Sequence, residues 1–332
     1  MASNFAARTL AVVPHGGTRA DAIDLMAWLA VAFVGLVTLT QAVGWAGTRI
    51  MAVGQSLTPY LAMTLVPVVL VALWRRQLIL VATACAIGFG VAVLATPLAF
   101  PESQPPAAAN STGLSAAALN LWYENPDIGA VADMLAEVDV DVIVFSEFTL
   151  EHQAALEASP LVGEYPYRTE RTRRGAAGIG VWSRFPIAER SDLASYNSSI
   201  DLTVAGPDGA VRIVAMHMPT PIIDFDAWRA DLATAAEIGR TTDEPTLLIG
   251  DLNATYWHPD FRRLLDAGFV DANAAAGSGF STSWPTNKWF TPPFVRLDHA
   301  LTTGGLVSSD VYDLDVPGSD HRGLVVTVAP AR

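Results

Sequence analysis

At 332 residues, 51% of them apolar, and with 33 acidic against 20 basic side chains, the chain has room for one domain of ordinary size and a smaller part. The charge is unevenly divided: residues 1–100 hold five Arg, no Lys and only Asp21 and Asp24, a net +3, so the remainder carries −16. Long nucleic acid is bound mainly through Lys and Arg that neutralise phosphates, so the acidic part is a poor general nucleic-acid binder, and the single cysteine, Cys85, excludes an intrachain disulfide.

Three uncharged stretches open the chain, at residues 25–48, 50–74 and 77–101. Each is 24 or 25 residues long, against the roughly 20 apolar residues a helix needs to cross ~30 Å of hydrocarbon. They predict three transmembrane helices in a membrane anchor spanning residues 1–100. A cleaved signal peptide does not fit the first stretch, because it would be shorter and would precede a soluble chain instead of two further spans. Trp45, Tyr60 and Trp74 fall near the ends or outer halves of their stretches, where interfacial aromatic rings anchor. Arg8, Arg19, Arg75 and Arg76 share one side and Arg49 alone lies on the other. The positive-inside rule then places the amino terminus in the cytoplasm and everything after residue 101 outside, in a multi-pass protein of the cell membrane.

Residues 101–114, PESQPPAAANSTGL, lack apolar periodicity and read as a linker. Residues 115–332 have the pattern of a globular α/β domain. Strands are predicted at 115–121, 138–145, 178–182, 211–216, 245–249, 295–301 and 324–328. Between the first two, Ile128, Val131, Leu135 and Val138 recur at helical spacing, with Asn125 as the expected N-cap and Pro126 in the first turn. Further helices are predicted at 226–240 and at 259–267, the latter closed by Gly268.

Polar residues gather at the ends of these strands. Asn120 ends the first, Glu147 follows VIVFS, His217 follows VRIVAM, Asp251 and Asn253 follow TLLIG, and Asp320 with His321 precede LVVTV, while Asp298 lies within a strand. One such residue means little, since loops are polar and caps favour Asp and Asn. If the strands pack as two sheets with these ends at one rim, they form a cluster of acids, amides and two imidazoles. That set suits hydrolysis of a phosphate ester at a hard cation, because Mg²⁺ takes oxygen ligands and needs only one or two carboxylates. A carboxylate can activate water and an imidazolium can stabilise the transition state. There is no H-E-x-x-H or cysteine pair for zinc, and no G-x-S-x-G for a nucleophilic serine.

The segments LN at 119–120, FSE at 145–147, GIGVWSR at 178–184, HMP at 217–219, GDLN at 250–253, RLDH at 296–299 and GSDHR at 318–322, in this order, make residues 115–329 resemble the endonuclease/exonuclease/phosphatase superfamily. The resemblance implies a four-layer α/β/β/α sandwich (DNase I-like) and Mg²⁺ or Mn²⁺ as cofactor. It implies Glu147 as the principal metal ligand, with Asn120 beside it and Asp320 on the metal side. Asp251 would position or activate the attacking water, Asn253 would hold a phosphate oxygen, and His321, oriented by Asp298, would donate to the phosphoryl group. His217 would be the second imidazole on the phosphate. Leu252 stands where the family usually has an aromatic residue, and its side chain is expected to point away from the site. With its apolar stretches, the whole chain resembles the bacterial membrane-bound branch that includes VanJ-type teicoplanin-resistance phosphatases.

Plainer readings compete with these. His217 alone would more often be a core histidine, and HMP with GDLN downstream reverses that preference. An acid inside an apolar strand is costly unless partnered, and His321 supplies a partner for Asp298. His152, His258 and His299 read as structural, and Trp284 and Trp289 divide evenly between substrate wall and aromatic packing. Arg168, Arg171, Arg173 and Arg174, the one basic cluster of the acidic domain, read as contacts to a phosphate headgroup or pyrophosphate against the alternative of a solvated loop. The expected function is membrane-anchored, metal-dependent hydrolysis of a lipid-linked or small phosphate or pyrophosphate ester. An extracytoplasmic nuclease or nucleotide phosphodiesterase would call for a wider basic groove. A non-catalytic binding module on the same fold would have lost residues such as Glu147, Asp251 or His321. The sequence carries no signal for oligomeric state.

Overall fold

A computed structural model describes residues 17–100, 104–190 and 193–332; Arg8 and linker residues 101–103 lie outside the described residues. The amino-terminal part forms α1 (Gly17–Ala42), α2 (Arg49–Ser56), α3 (Thr58–Met63), α4 (Leu65–Trp74), α5 (Leu78–Leu94) and α6 (Thr96–Ala99). Among the described residues one continuous helix is long and apolar enough to cross a membrane, over Ala22–Ala42.

The expectation of three continuous spans is corrected. The second stretch is broken at Leu57, and its limbs Arg49–Ser56 and Thr58–Trp74 meet at 66°. Pro59, in the first turn of α3, has no N–H to carry the ladder across the break. Uncharged polar side chains hold the bend: Gln55 Nε2 donates to Thr40 Oγ1 and to the Trp45 carbonyl, both at 3.1 Å, and Gln41 Nε2 donates to Thr58 Oγ1 at 2.5 Å. Counting charges alone overlooks such residues. The third stretch yields α5, whose 17 residues reach only ~25 Å at 1.5 Å per residue.

The rest folds as β1 (Leu114–Asn120), α7 (Ile128–Val138), β2 (Val142–Ser146), α8 (Leu150–Glu157), β3 (Tyr167–Arg171), β4 (Ile179–Ser183), β5 (Ile187–Glu189), β6 (Ser199–Gly206) and β7 (Gly209–Met216). There follow α9 (Phe225–Thr241), β8 (Thr246–Asp251), α10 (Pro259–Asp266), β9 (Val270–Asp271), α11 (Ala272–Ala275), β10 (Asp298–Thr303), β11 (Leu306–Asp315) and β12 (Arg322–Pro330). Two six-stranded sheets result, ordered β11-β12-β1-β2-β4-β3 and β5-β6-β7-β8-β10-β9.

Alternation along the strands makes the layers. Ala116, Val144, Val181 and Val326 of the first sheet meet Ile213, Ile249 and Ala300 of the second in a buried core between the sheets. Leu119, Ile143 and Phe145 face the other way, onto Val131 and Leu135 of α7 and Leu156 of α8. Val214, Leu248 and Leu301 pack on Trp228 and Leu232 of α9 and Phe261 and Leu264 of α10. The expected four-layer α/β/β/α sandwich is present. Ile249, fully buried between the sheets, should cost about 2–5 kcal/mol when replaced by Ala; chemical unfolding checks this, and a change near zero would contradict the packing described.

The N-cap of α7 is Asp127, not Asn125; Asn125 instead donates to the Pro317 carbonyl at 2.9 Å and accepts from Asp127 N at 2.8 Å. Strand 138–145 starts late because α7 runs to Val138 and closes on Asp139 in the left-handed region. The described part of the expected linker is tied to the sandwich, with Ala108 N donating to the Pro330 carbonyl at 2.9 Å and Gly113 N to Asp208 at 2.7 Å.

The helices dock on the sandwich at one end. Arg262 donates to the Gln41 carbonyl and Arg263 to the Gly44 carbonyl, both at 2.6 Å, and Tyr60 Oη donates to the Phe294 carbonyl at 2.8 Å. At their opposite end Arg75 pairs with Asp24 at 2.7 Å.

Candidate active site

Strand register gathers the polar residues. β1 and β2 run parallel with Asn120 opposite Ser146, so Glu147, the next residue, emerges beside Asn120. β8 and β10 run antiparallel with Asp251 opposite Asp298, which corrects the placing of Asp298: it is the first residue of β10, not an interior one. β12 is antiparallel to β1, so His321, just before it, arrives at the end where β1 finishes, and Ser319 Oγ ties the two by donating to the Asn120 carbonyl at 2.6 Å. The glycines of two motifs permit close approach. Gly250 has φ +139°, and a Cβ there would lie 2.2 Å from the Met216 carbonyl oxygen; one at Gly178 would lie 2.0 Å from that of Phe148.

Asn120 Nδ2 donates to Glu147 Oε1 at 3.1 Å and to Asp251 Oδ2 at 2.9 Å, so one amide links two acids. Glu147 Oε2 also accepts from Tyr123 N at 2.9 Å. Glu147 and Asn253 have φ of 57° and 46°, a conformation that costs a non-glycine residue of order 1–3 kcal/mol and clusters at functional sites. Asn253 N donates to Asp251 Oδ1 and its Nδ2 to the Met218 carbonyl, both at 2.9 Å. Asp251 Oδ2 lies 3.7 Å from His217 Nε2 and 3.9 Å from His321 Nε2. His217 Nδ1 is buried and has no hydrogen-bond partner among the described residues.

Asp298 Oδ2 lies 2.8 Å from His321 Nδ1. Burial opposes charging of the imidazole, but the carboxylates of Asp298 and Asp251 and the hydrogen bond to Asp298 more than offset it, so the His321 pKa is pushed up to about 10. Burial likewise opposes ionisation of Asp298, yet the charge and hydrogen bond of His321 prevail and hold its carboxyl below the usual range. Asp251 is raised, first by burial and then by the neighbouring Asp298 charge. The site therefore contains an imidazolium held by one carboxylate and facing a second acid that is reluctant to ionise.

Residues 117–321 match the sequence model of the Endonuclease/Exonuclease/phosphatase family. The chain belongs to that family. No curated protein matches it. Among solved structures the fold is similar to D. rerio TDP2 humanized by 14 mutations (TM-score 0.54, 14% identity, covering 66% of this chain and 99% of that one). It is also similar to D. rerio TDP2 complexed with single strand DNA product (TM-score 0.52, 17% identity, 66% and 99%). An AP endonuclease from Archaeoglobus fulgidus gives TM-score 0.52 at 18% identity, covering 64% of this chain and 98% of that one. At these identities the likeness is one of fold, the DNase I-like sandwich.

Endonuclease/exonuclease/phosphatase family enzymes commonly use divalent metals, and the donor set here fits one. Asp251, Asp298 and His321 can each bring a ligand atom within 4.8 Å of the others, but a protonated His321 has no lone pair to give. The carboxylate oxygens of Glu147 and Asp320, which line the same cleft as Asp251, are donors of the kind a hard cation takes, whereas Asn120 turns its Nδ2 toward Glu147 and Asp251 and its oxygen toward Trp122 N. Asp298, Asp251 and Asp320 all act on His321, a local excess of acidic groups that a divalent cation would offset.

Asp320 accepts from Trp284 Nε1 at 3.1 Å, and Trp284 lines the cleft, whereas Trp289 is 96% exposed. Leu252 is buried in the helix-side core, away from the cleft. Arg168 donates to the Tyr165 and Val162 carbonyls and lies over the Trp182 ring, and Arg171 pairs with Glu189 at 3.4 Å; both serve the packing around β3. Arg173 and Arg174 are exposed, close in sequence to Ala176 on the cleft lining.

Two histidines read as structural touch the site from behind. His152, kept neutral by burial, interacts with the strained Glu147 backbone. His258 accepts from Thr255 N through Nδ1 at 2.8 Å, which leaves Nε2 to donate to the Ala52 carbonyl of α2 at 2.9 Å, and burial lowers its pKa to about 4. No motif surrounds either residue, so only the fold reveals these contacts. His299, between Asp271 at 2.8 Å and the Ala254 carbonyl at 3.0 Å, is structural as expected.

Proposed function

We propose that the chain is a membrane-anchored, divalent-metal-dependent phosphoesterase acting on a phosphate or pyrophosphate ester, lipid-linked, on the outer side of the cytoplasmic membrane. The observation that carries the reading is the Asp298–His321 pair, 2.8 Å long, beside Asp251, which the Asn120 amide links to Glu147. Asn120, Glu147 and Asp320 would hold Mg²⁺ or Mn²⁺, which supplies Lewis-acid stabilisation of charge on the phosphoryl oxygens. Asp251, whose pKa is raised by burial and whose carboxylate is therefore a stronger base, accepts in its ionised form the proton of the attacking water. His321 donates to a phosphoryl oxygen while Asp298 fixes its ring; His217 and Asn253 contact the remaining oxygens.

The Ala22–Ala42 helix supports anchoring. Arg75 and Arg76 lie at the end of the bundle remote from the sandwich, as a cytoplasmic end would. These features also support placement in the membrane-bound branch that includes VanJ-type phosphatases, with Arg173 and Arg174 as headgroup contacts. The nuclease reading draws on the similar structures, one of which is complexed with single strand DNA product, but the net −16 of residues 101–332 disfavours long nucleic acid.

The test is a hydrolysis screen of the full-length protein in detergent against polyprenyl pyrophosphate, phospholipids, nucleotides and DNA. EDTA should abolish activity and Mg²⁺ or Mn²⁺ restore it, with lipid-linked phosphate preferred. Full activity in chelator would sink the metal assignment. Efficient DNA cleavage at low salt, falling steeply as salt rises, would favour the nuclease.

A further inference from the structure

The cleft that holds the catalytic cluster is not built by the sandwich alone. Its volume is about 550 Å³, and its lining passes from Glu147, Asp251 and His321 to Val53, Leu57 and Ile222. Val53 belongs to α2 and Leu57 is the residue at which the second apolar stretch breaks, so the bend turns part of the membrane-type segment into a wall of the active site. Beside α2, Ile222 and Ile223 are 58% and 65% exposed, and the guanidinium of Arg49, the first residue of α2, reaches the Ile223 carbonyl at 3.5 Å. Grouped exposed apolar side chains beside a polar site mark a binding surface.

The wall is firmly placed. Ala52 is buried in the helix-side core with Met218 and Trp228, and its carbonyl takes the His258 hydrogen bond. On the other side of α2, Gly54 abuts Val37 and Phe33 of α1, the one helix that is long and apolar enough to span a membrane among the described residues. An apolar path thus connects lipid-type helices with the catalytic floor.

We propose that α2, Leu57 and the turn at 222–223 form an apolar half-site for the hydrocarbon adjoining the phosphate of a membrane amphiphile. The inference rests on the phosphoesterase reading and adds which residues recognise the chain. Each methylene buried there tightens binding by about fourfold; after the cost of ordering a flexible chain, a net gain of at least tenfold is expected between two and eight carbons.

Ethylphosphonate and octylphosphonate, which are not hydrolysed, are titrated into the full-length protein in nanodiscs with Mg²⁺, with partition into empty nanodiscs subtracted. Octylphosphonate should bind tenfold or more tightly, and the ratio should approach one in Val53→Asp and Leu57→Asp. A ratio near one in the wild type, or an undiminished ratio in both variants, overturns the proposal. Should either variant misfold, a diazirine at the octyl terminus is photolysed in the wild-type protein. Label within residues 52–57 or 222–223 supports the half-site, and label confined elsewhere overturns it. Thymidine monophosphate binding as tightly as octylphosphonate would assign the wall to a nucleobase and equally overturn it. Absence of hydrolysis in the screen above would remove the phosphoesterase reading but leave this ratio unchanged, so the two failures are separable.

Discussion

Glu147→Ala and Asp251→Asn should each lower hydrolysis by about two orders of magnitude or more, the scale of losing a metal ligand or a general base, with the fold retained. Glu147 is held in a left-handed backbone conformation with one carboxylate oxygen on Asn120 and the other on Tyr123 N. Such strain persists only where the surroundings enforce it, and Ala at that position removes an oxygen donor without disturbing the sheets. Asp251 stands within 3.9 Å of both imidazoles; Asn keeps its shape and loses its basicity. The measurement is kcat beside a thermal unfolding curve. Folded variants with wild-type rates would move the site elsewhere.

Asp298→Asn should cost about 10²–10⁴ in kcat and shift the alkaline limb of the pH–rate profile downward. With Asp298 ionised, the His321 pKa lies at about 10 against an ordinary 6.5, so the imidazolium persists through neutral pH. Because the folded value is raised, the stability it contributes is fully present below about pH 6.5 and is lost as pH rises toward 10. Asp298 itself is depressed, so its contribution is present above the ordinary carboxyl value and lost as pH falls through the lowered one. Asn removes most of what raises His321. The variant should therefore lose activity at a pH where the wild type is still fully active, and should melt with a weaker dependence on alkaline pH. An unmoved alkaline limb would show that His321 does not act as the imidazolium.

The catalytic half of the molecule was legible because its signals are local and redundant. Strands such as VIVFS and TLLIG are buried throughout and end on candidate site residues, so strand, end and site residue could be read together. β6 and β11 were missed for the converse reason: Asp201 interrupts SIDLTVAG, and LVSSDVYDLD is a half-exposed edge with polar residues on its open face. The membrane part is less legible because absence of charge does not establish continuity: Gln55, Thr58 and Pro59 carry the bend without any charge. His258 was legible as the residue that leads into α10, but its hydrogen bond to α2 was not, since that partner is a carbonyl 206 residues away.

β10 has two histidine–acid pairs on its opposite faces. Asp298 points between the sheets to His321, and the next residue, His299, points into the helix layer to Asp271. Strand side chains alternate strictly, so a slip of one residue against β8 would send His299 toward the catalytic rim and Asp298 into an apolar layer, stripping both acids of their partners at once. Breaking a buried pair costs several kcal/mol, and here two would break together. The ladder thus has a combination lock: mispairing is penalised on both faces, and the spacing between Asp251 and Asp298 is kept by the backbone pairing of β8 with β10.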